Sequence, residues 1–272
     1  MENNQPQTKS MKTFMIIWVG QLISILGSGL TGFGLSVWIF TQTGKATPFA
    51  LNALFYNLPR ILFAPIAGSV ADRYNRRKIM IWADTGAALT TLAVAALLFS
   101  GNLQVWQIYL TTFISAVFGT FQDPAYRASI TMIVPKKDLG RAGGLQQIGG
   151  AVQSILIPML AGVLYATIGL RGVILIDFAT YFFAIGALLL VFIPQPELTT
   201  EPGEEKRRGQ MFRDAAFGWR YLRDRPGLFG LLWYYAAVNF FLSFSGVLTG
   251  PLILSFGTEV DLGIGQTAIG VG

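Results

Sequence analysis

The sequence predicts an all-α protein that crosses a membrane several times. Of its 272 residues, 53% are hydrophobic and only 12% are charged, whereas a soluble domain carries about 25% charged residues. Apolar stretches of about 20 residues, the length that spans a bilayer as a helix, recur along the chain. The lysines and arginines fall in short blocks between these stretches. These observations favour a bundle of membrane-spanning helices over a soluble domain or a disordered chain.

The spans can be followed in order along the chain. Residues 13–44 form an uncharged first span that is too long for the apolar core of a signal peptide. The other complete spans are 48–71 with Arg60, 79–100 with Asp84, 104–122, 142–170, 173–193 with Asp177, and 228–250. From 262 the chain turns apolar again. We therefore expect six complete helices, a linker, a seventh helix and the start of an eighth.

This order of helices is typical of a transporter built from two halves. We expect a six-helix transmembrane half at 1–193, a cytoplasmic linker at 194–226, and at 227–272 the start of a second half in which the chain is truncated. Apolar residues recur at helical spacing in 211–222. That stretch is either an amphipathic helix on the inner membrane surface or a helix packed on the ends of the bundle.

The positive charges predict the orientation. Seventeen of the 20 Lys and Arg residues fall in alternate loops, and the opposite loops carry only Lys45 and Arg171. Because cytoplasmic loops carry the excess of Lys and Arg, the N-terminus and the linker are predicted to be cytoplasmic. We expect a multi-pass protein of the cell membrane, with the bilayer as its partner and no nucleic acid bound.

Composition also excludes several kinds of chemistry. The chain contains no Cys and no His. Cys-ligated zinc, thiol nucleophiles and Ser-His-Asp triads are therefore excluded, and no phosphate-binding loop of an ATPase is present. We expect no enzyme activity, no cofactor and no metal site.

One charged loop carries a recognisable pattern. It reads Gly68-Ser-Val-Ala-Asp72-Arg73-Tyr-Asn75-Arg76-Arg77-Lys78. It resembles the loop Gly-x-x-x-Asp-Arg-x-Gly-Arg-Arg/Lys between helices two and three of the major facilitator superfamily. Asn stands where Gly is usual, and Asn tolerates a left-handed backbone better than most residues. A plain positively charged loop would explain the Arg residues but not the Gly and Asp at their spacings.

The resemblance gives this loop a role as a conformational gate. It implies that Gly68 lets two helices approach closely. It also implies that Asp72 makes a charged contact with the other half that breaks when the inner side opens. The gate residues are Gly68, Asp72, Arg73, Arg76 and Arg77.

Further segments are similar to the macrolide-efflux branch of that superfamily, which is close to bacterial siderophore exporters. These segments are Trp18-Val-Gly-Gln21, Thr43–Thr47, Ala64–Gly68, Lys78–Asp84 and Val134-Pro135 with Leu139. The resemblance implies two six-helix halves around a central cavity that opens to each side in turn. We expect a monomer that exports hydrophobic drug-like compounds in exchange for protons.

Two antiporter signals are weak in this sequence. The Gly-Pro-x-x-Gly-Gly pattern of helix five is matched only by Pro158 and Gly162, where we expect a bend. The helix-four Arg of some antiporters is missing, because 104–122 contains no Arg.

Polar residues inside the spans predict a cavity. Helix one, for example, places Gln21, Ser24 and Ser28 on one face, and polar groups in a membrane normally face a cavity or another helix. The alternative is hydrogen bonding between helices together with an aromatic belt. The candidate cavity residues are Gln21, Ser24, Ser28, Asn52, Tyr56, Gln146, Gln153, Trp233 and Asn239.

Three ionisable residues lie within the spans: Arg60, Asp84 and Asp177. An unpaired Arg in mid-membrane costs at least about 2.5 kcal/mol, so we expect Arg60 to pair with an acid or a carbonyl group. Because the chain lacks His, any proton coupling in this segment must use a carboxyl group. Either one of the two acids carries the proton, or the acids form fixed ion pairs.

The sequence leaves the transported compound open. Export of a siderophore, a lipid precursor or a peptide-like metabolite fits the same fold. A membrane receptor or a membrane-embedded enzyme is the remote alternative, because neither an output domain nor a reactive constellation is present.

Overall fold

A computed structural model describes residues 9–191, 193 and 220–271. Within these residues the chain is helical and contains no strand. The helices are α1 (Met11–Thr43), α2 (Ala46–Arg73), α3 (Arg76–Phe99), α4 (Val105–Ile133), α5 (Leu139–Ala151), α6 (Ile157–Leu190), α7 (Pro226–Phe256) and α8 (Glu259–Val271). A 3-10 turn at Lys136–Asp138 precedes α5, and a π-helical segment at Val152–Leu156 joins α5 to α6. The predicted all-α fold is confirmed.

Five segments of the described chain are long and apolar enough to cross a membrane: α1, α2, α3, α7 and a 55-residue stretch, Lys136–Leu190. The long stretch contains the predicted fifth and sixth spans, divided at Gly169, whose φ of 66° interrupts the helix. A left-handed residue favours glycine because it has no Cβ. The helix α4 has 29 residues but is not among the five segments.

Local sequence signals explain where the first helices begin and end. The Ser10 hydroxyl accepts a hydrogen bond from the Lys12 N–H and caps α1, which ends at Gly44 in the left-handed conformation. The Asn75 side chain accepts from the Lys78 N–H and caps α3. Each cap satisfies a backbone group that the helix itself leaves unpaired.

Small residues let α1 pack closely against α6. A Cβ atom added to Gly20 would lie 2.5 Å from the Ala187 Cβ, and one added to Gly27 would lie 2.9 Å from the Asp177 Cα. Helices in membranes associate largely through such close packing. Other neighbouring pairs of helices are α2 with α4, α3 with α4, α3 with α6, and α6 with α8, and smaller contacts join α1 to α2, α1 to α4, and α2 to α3.

Apolar clusters lie at the two ends of α1. Phe14 and Ile17 are fully buried with Met80 and Leu188 at the predicted inner end. At the other end, Ile39 is fully buried beside Val94, Ile108 and Ile174. The polar residues of α1 lie between these clusters, so they are flanked by apolar packing along the helix.

The chain divides into two compact units. The first comprises the described residues up to 193 and those from 250 onward, and the second comprises those between 220 and 249. Most of the amphipathic stretch predicted in the linker lies outside the described residues.

Candidate functional site

A buried carboxyl group joins three helices in the first unit. Asp84 on α3 accepts a hydrogen bond from the Gln21 Nε2 of α1 at 3.1 Å and one from the Gln122 Nε2 of α4 at 2.5 Å. The Gln122 Nε2 also donates to the Gln21 Oε1 at 2.8 Å. Asp84 is only 6% exposed and Gln21 only 5%. We call these three residues the amide–acid cluster.

A second buried acid lies nearer the predicted outer side. Asp177 on α6 accepts hydrogen bonds from the hydroxyls of Ser28 on α1 and Thr91 on α3, each at 3.1 Å. Asp177 is 5% exposed, and the backbone of Gly27 passes beside it. Its described partners are therefore neutral hydroxyl groups from two neighbouring helices.

The two acids belong to two levels of one polar seam. Gln21 precedes Ser28 by seven residues on α1, and Asp84 precedes Thr91 by seven residues on α3, so the levels are about 10 Å apart. Seven residues make two helical turns, which returns to the same helix face. Between the levels, the Thr85 and Tyr181 hydroxyls hydrogen-bond at 3.1 Å. The seam thus links α1, α3, α4 and α6 through the middle of the bundle.

Among the described residues, Arg60 has neither the acid nor the carbonyl partner that the sequence led us to expect. Its Nη2 donates to the Tyr56 hydroxyl at 2.8 Å, and its guanidinium lies 4.6 Å from the Tyr56 ring centroid. Within the described part of the chain, the salt bridge found joins Asp123 to Arg127. The physical reason is the position of Arg60 on α2, which packs mainly against α4. The partners of Asp84 lie on α1 and α4, and those of Asp177 lie on α1 and α3.

Two predicted cavity residues are buried and instead join helices. Gln21 belongs to the amide–acid cluster, and Asn52 is 6% exposed. The Asn52 side chain donates to the Ser36 hydroxyl at 3.2 Å and accepts from Thr112 at 3.1 Å. The contacts of these two residues match the alternative to a cavity role, which is hydrogen bonding between helices.

The other predicted cavity residues are more open. Ser24 and Gln146 are half-buried, and Ser28, Tyr56 and Gln153 are exposed. Trp233 and Asn239 lie in the second unit, where Trp233 is exposed and the Asn239 Nδ2 donates to the Tyr235 carbonyl of its own helix.

The irregular part of the fifth span surrounds Pro158. The proline has no N–H to donate to the Ser154 carbonyl, and the preceding segment is π-helical, with the Ile157 N–H donating to the Val152 carbonyl. The Thr267 hydroxyl of α8 donates to the Ile155 carbonyl at 2.8 Å. The regular α-helical hydrogen bonding is therefore interrupted directly before Pro158.

Gly162 allows α8 to approach α6. A Cβ atom there would lie 2.6 Å from the Glu259 carbonyl oxygen, and one on Gly263 would lie 2.5 Å from the Pro158 carbonyl oxygen. The two matched residues of the weak helix-five pattern therefore lie at a helix contact.

The charged loop divides into an anchored and an exposed part. The Arg77 guanidinium donates to the carbonyls of Leu188 and Leu189 at the end of α6, at 2.6 and 3.0 Å. Arg76 is buried and donates to the Ala71 carbonyl at 3.2 Å and to the Met132 sulfur. These arginines satisfy carbonyl groups near helix ends, where positive charge is favourable.

Asn75 and Gly68 each differ from what the sequence led us to expect. Asn75 has φ −60° and ψ 109°, so it is not left-handed, and its side chain serves as a helix cap instead. A Cβ atom on Gly68 would meet nothing within 4 Å among the described residues, so the expected close approach of helices is not made by them. Asp72 and Arg73 are exposed.

Sequence reasoning missed Gln122 as a functional candidate. It was taken as the end of the fourth span, because Asp123 follows it, yet α4 continues to Ile133. An amide among apolar residues was the available signal. Thr91, Thr112 and Tyr181 were missed as well, because hydroxyl groups are common in membrane helices and carry little signal by themselves.

The fold and the buried polar seam define a polytopic α-helical membrane protein. The family model described as Major Facilitator Superfamily matches residues 17–272. The chain belongs to this superfamily, which confirms the predicted resemblance and indicates a transporter.

Curated relatives include exporters of two kinds. Macrolide efflux protein A of Streptococcus pyogenes is 29% identical over 219 residues, which is 80% of this chain and 53% of that protein. The Enterococcus faecalis protein of the same name is 30% identical over 189 residues, 70% of this chain and 57% of that protein. The enterobactin exporter EntS of Shigella flexneri is 25% identical over 232 residues, 85% of this chain and 54% of that protein. The chain spans about half the length of the curated relatives it matches.

Proposed function

We propose that the protein exports hydrophobic, macrolide-type compounds across the cell membrane in exchange for protons, by alternating access. The similarity to macrolide efflux proteins supports the class of cargo. The alternation of positively charged loops supports a cytoplasmic N-terminus.

The observation that carries the proton coupling is the environment of Asp84. Its described hydrogen bonds come only from the neutral amides of Gln21 and Gln122. A carboxyl group in such surroundings can bind and release a proton without first breaking a salt bridge. Acids inside membrane spans are costly and mark substrate or proton pathways. We assign the coupled proton to Asp84 and a structural role to Asp177.

The exposed half of the charged loop supports alternating access. Asp72 and Arg73 are exposed, and Gly68 is half-buried with open space beside it, so these residues are available for contact with a second half. Arg76 and Arg77 bind backbone carbonyls of the first unit. We infer that the first three make and break the gate contact and that the two arginines hold the loop in shape.

The cargo cavity is assigned to the open polar residues. Hydroxyl, amide and aromatic groups next to apolar surface suit a large amphipathic compound. We assign cargo contact to the open polar residues of the first unit, Ser24, Ser28, Tyr56, Gln146 and Gln153.

The test uses the full-length transporter in proteoliposomes. Asp84→Asn should abolish macrolide transport driven by a pH gradient while leaving macrolide counterflow, which needs no net proton movement. Asp138→Asn, in the loop before α5, is the matched control and should behave as wild type. Gradient-driven transport by Asp84→Asn at the wild-type rate would overturn the proposal.

A second candidate cargo is an acidic siderophore. The similarity to the enterobactin exporter supports it, and so does Arg60, an exposed intramembrane cation whose described side-chain partner is Tyr56. Arg60→Gln should then reduce siderophore transport at least tenfold and spare macrolide transport. An equal loss of both would instead indicate that Arg60 has a structural role.

A further inference from the structure

Gln122 occupies a special place in the amide–acid cluster. Its Nε2 atom has two hydrogens, and the two acceptors it reaches are the Asp84 Oδ1 and the Gln21 Oε1. The Gln21 Nε2 donates to the other Asp84 oxygen. Each carboxyl oxygen of Asp84 therefore faces an amide donor, which is the arrangement that an ionised carboxylate requires.

Protonation of Asp84 is incompatible with this arrangement of bonds. A protonated carboxyl group has an O–H that must donate to an acceptor, but an amide N–H₂ group faces each oxygen. To accept that proton, one of the two amides must turn so that its Oε1 faces Asp84. Gln122 has more room to turn, because it is half-buried whereas Gln21 is only 5% exposed. The Nε2 then points elsewhere and its hydrogen bond to the Gln21 Oε1 is lost.

We propose that Gln122 is a positioning residue that senses the protonation state of Asp84 and transmits it to the contact between α1 and α4. The proposal rests on the role of Asp84 in proton coupling. Proton binding turns the Gln122 amide, and this changes the hydrogen bonds that hold three helices together. A local proton event thereby alters a contact on which the packing of the bundle depends.

The ionisable side chains of the neighbouring helices support the assignment of the sensor role to the neutral amide of Gln122. Helix α1 has no ionisable side chain between Lys12 and Lys45. On the neighbouring helices, three ionisable side chains have partners other than Asp84: Arg60 binds Tyr56, Asp123 binds Arg127, and Tyr181 binds Thr85. The ionisable residues of the helices packed against α3 are Tyr56, Arg60, Asp72 and Arg73 on α2, Tyr109, Asp123, Tyr126 and Arg127 on α4, and Tyr165, Arg171, Asp177 and Tyr181 on α6.

The test measures the pH profile of macrolide transport by the full-length protein in proteoliposomes. Gln122→Leu keeps the volume of the side chain but removes a donor that stabilises the ionised carboxyl group. The midpoint of the profile should move by about one pH unit toward alkaline pH, with counterflow retained. Thr112→Val, which breaks a comparable hydrogen bond of α4 to Asn52, should leave the midpoint in place.

The outcomes separate this inference from the proposed function. Loss of gradient-driven transport in Asp84→Asn, together with a wild-type pH midpoint in Gln122→Leu, overturns the sensor role alone. An equal shift in Thr112→Val also overturns it, because the effect would then come from packing. If Gln122→Leu does not fold, Gln122→Asn, whose amide is too short to reach both acceptors, is measured in the same way and should show the same direction of shift.

Discussion

The two intramembrane acids have different kinds of partners, and this difference supports the different roles that we propose for them. Asp84 is bound by amides, which can exchange donor for acceptor by turning, whereas Asp177 is bound by the hydroxyls of Ser28 and Thr91. A hydroxyl group can donate or accept without leaving its place. Asp177 can therefore keep its partners in any protonation state, which suits a structural joint between α1, α3 and α6.

Replacement of Asp177 tests this structural role. Asp177→Ala removes the acceptor of both hydroxyls and should lower stability by about 1–3 kcal/mol. Asp177→Asn keeps one acceptor oxygen and should lose less. Thermal unfolding in detergent should give the order wild type, Asn variant, Ala variant from highest to lowest Tm. Equal Tm values for all three proteins would contradict the role.

The sequence identified these acids but not their partners. Asp84, Asp177 and Gln21 were predicted as intramembrane polar groups, because a charge or amide within an apolar run is visible without a structure. The pairing of Gln21 with Asp84 spans 63 positions, and that of Ser28 with Asp177 spans 149. Such pairings depend on how each helix is rotated in the bundle, which a single sequence does not specify.

At the scale of elements, α1 is the helix around which the seam is built. Its Gly20 and Gly27 contact α6, while Gln21 and Ser28, each the next residue, reach the two acids. The close approach made possible by glycine thus brings the adjacent polar side chains within hydrogen-bonding distance of their partners.

Matched glycine variants of α1 test this arrangement. A Cβ atom on Gly27 would meet Thr180 and Asp177, whereas one on Gly32 would meet nothing within 4 Å. Gly27→Ala should lower stability by about 1–3 kcal/mol through overpacking. Gly32→Ala should be neutral or stabilise by roughly 0.5–1 kcal/mol, because alanine favours the helix. The Tm of each variant measures this, and an unchanged Tm in Gly27→Ala would contradict the proposed packing.

The elements themselves were largely predictable. Uncharged runs and positively charged loops indicated α1 to α3 and the passes on either side of Gly169. The fourth helix is longer than the apolar span predicted at 104–122, because α4 continues past the charged Asp123 to Ile133. The π-helical segment before Pro158 was predicted only as a bend, since a proline signals an interruption but not its form.

At the scale of the whole molecule, membership of the major facilitator superfamily follows from sequence and from the match over residues 17–272. The proposed orientation rests on loop charge alone, so it needs its own measurement. The proposed transport activity depends on the buried acids of the bundle, because in this proposal one of them exchanges its proton as access alternates.

Site-directed labelling tests the orientation. The 272 residues contain no Cys, so single cysteines can be introduced without removing others from this segment. Asn102→Cys, between α3 and α4, should react with an impermeant maleimide added outside intact cells. Lys137→Cys, between α4 and α5, should react only after the cells are opened. The reverse pattern would overturn the cytoplasmic assignment of the N-terminus.

Proton release on cargo binding measures whether Asp84 carries the coupled proton, as we propose. The full-length protein in weakly buffered detergent solution is mixed with a macrolide, and a pH indicator counts the protons released. We expect release by the wild-type protein and by Asp177→Asn, and none by Asp84→Asn when cargo still binds. Equal proton release by wild type and Asp84→Asn would show that Asp84 does not carry the coupled proton.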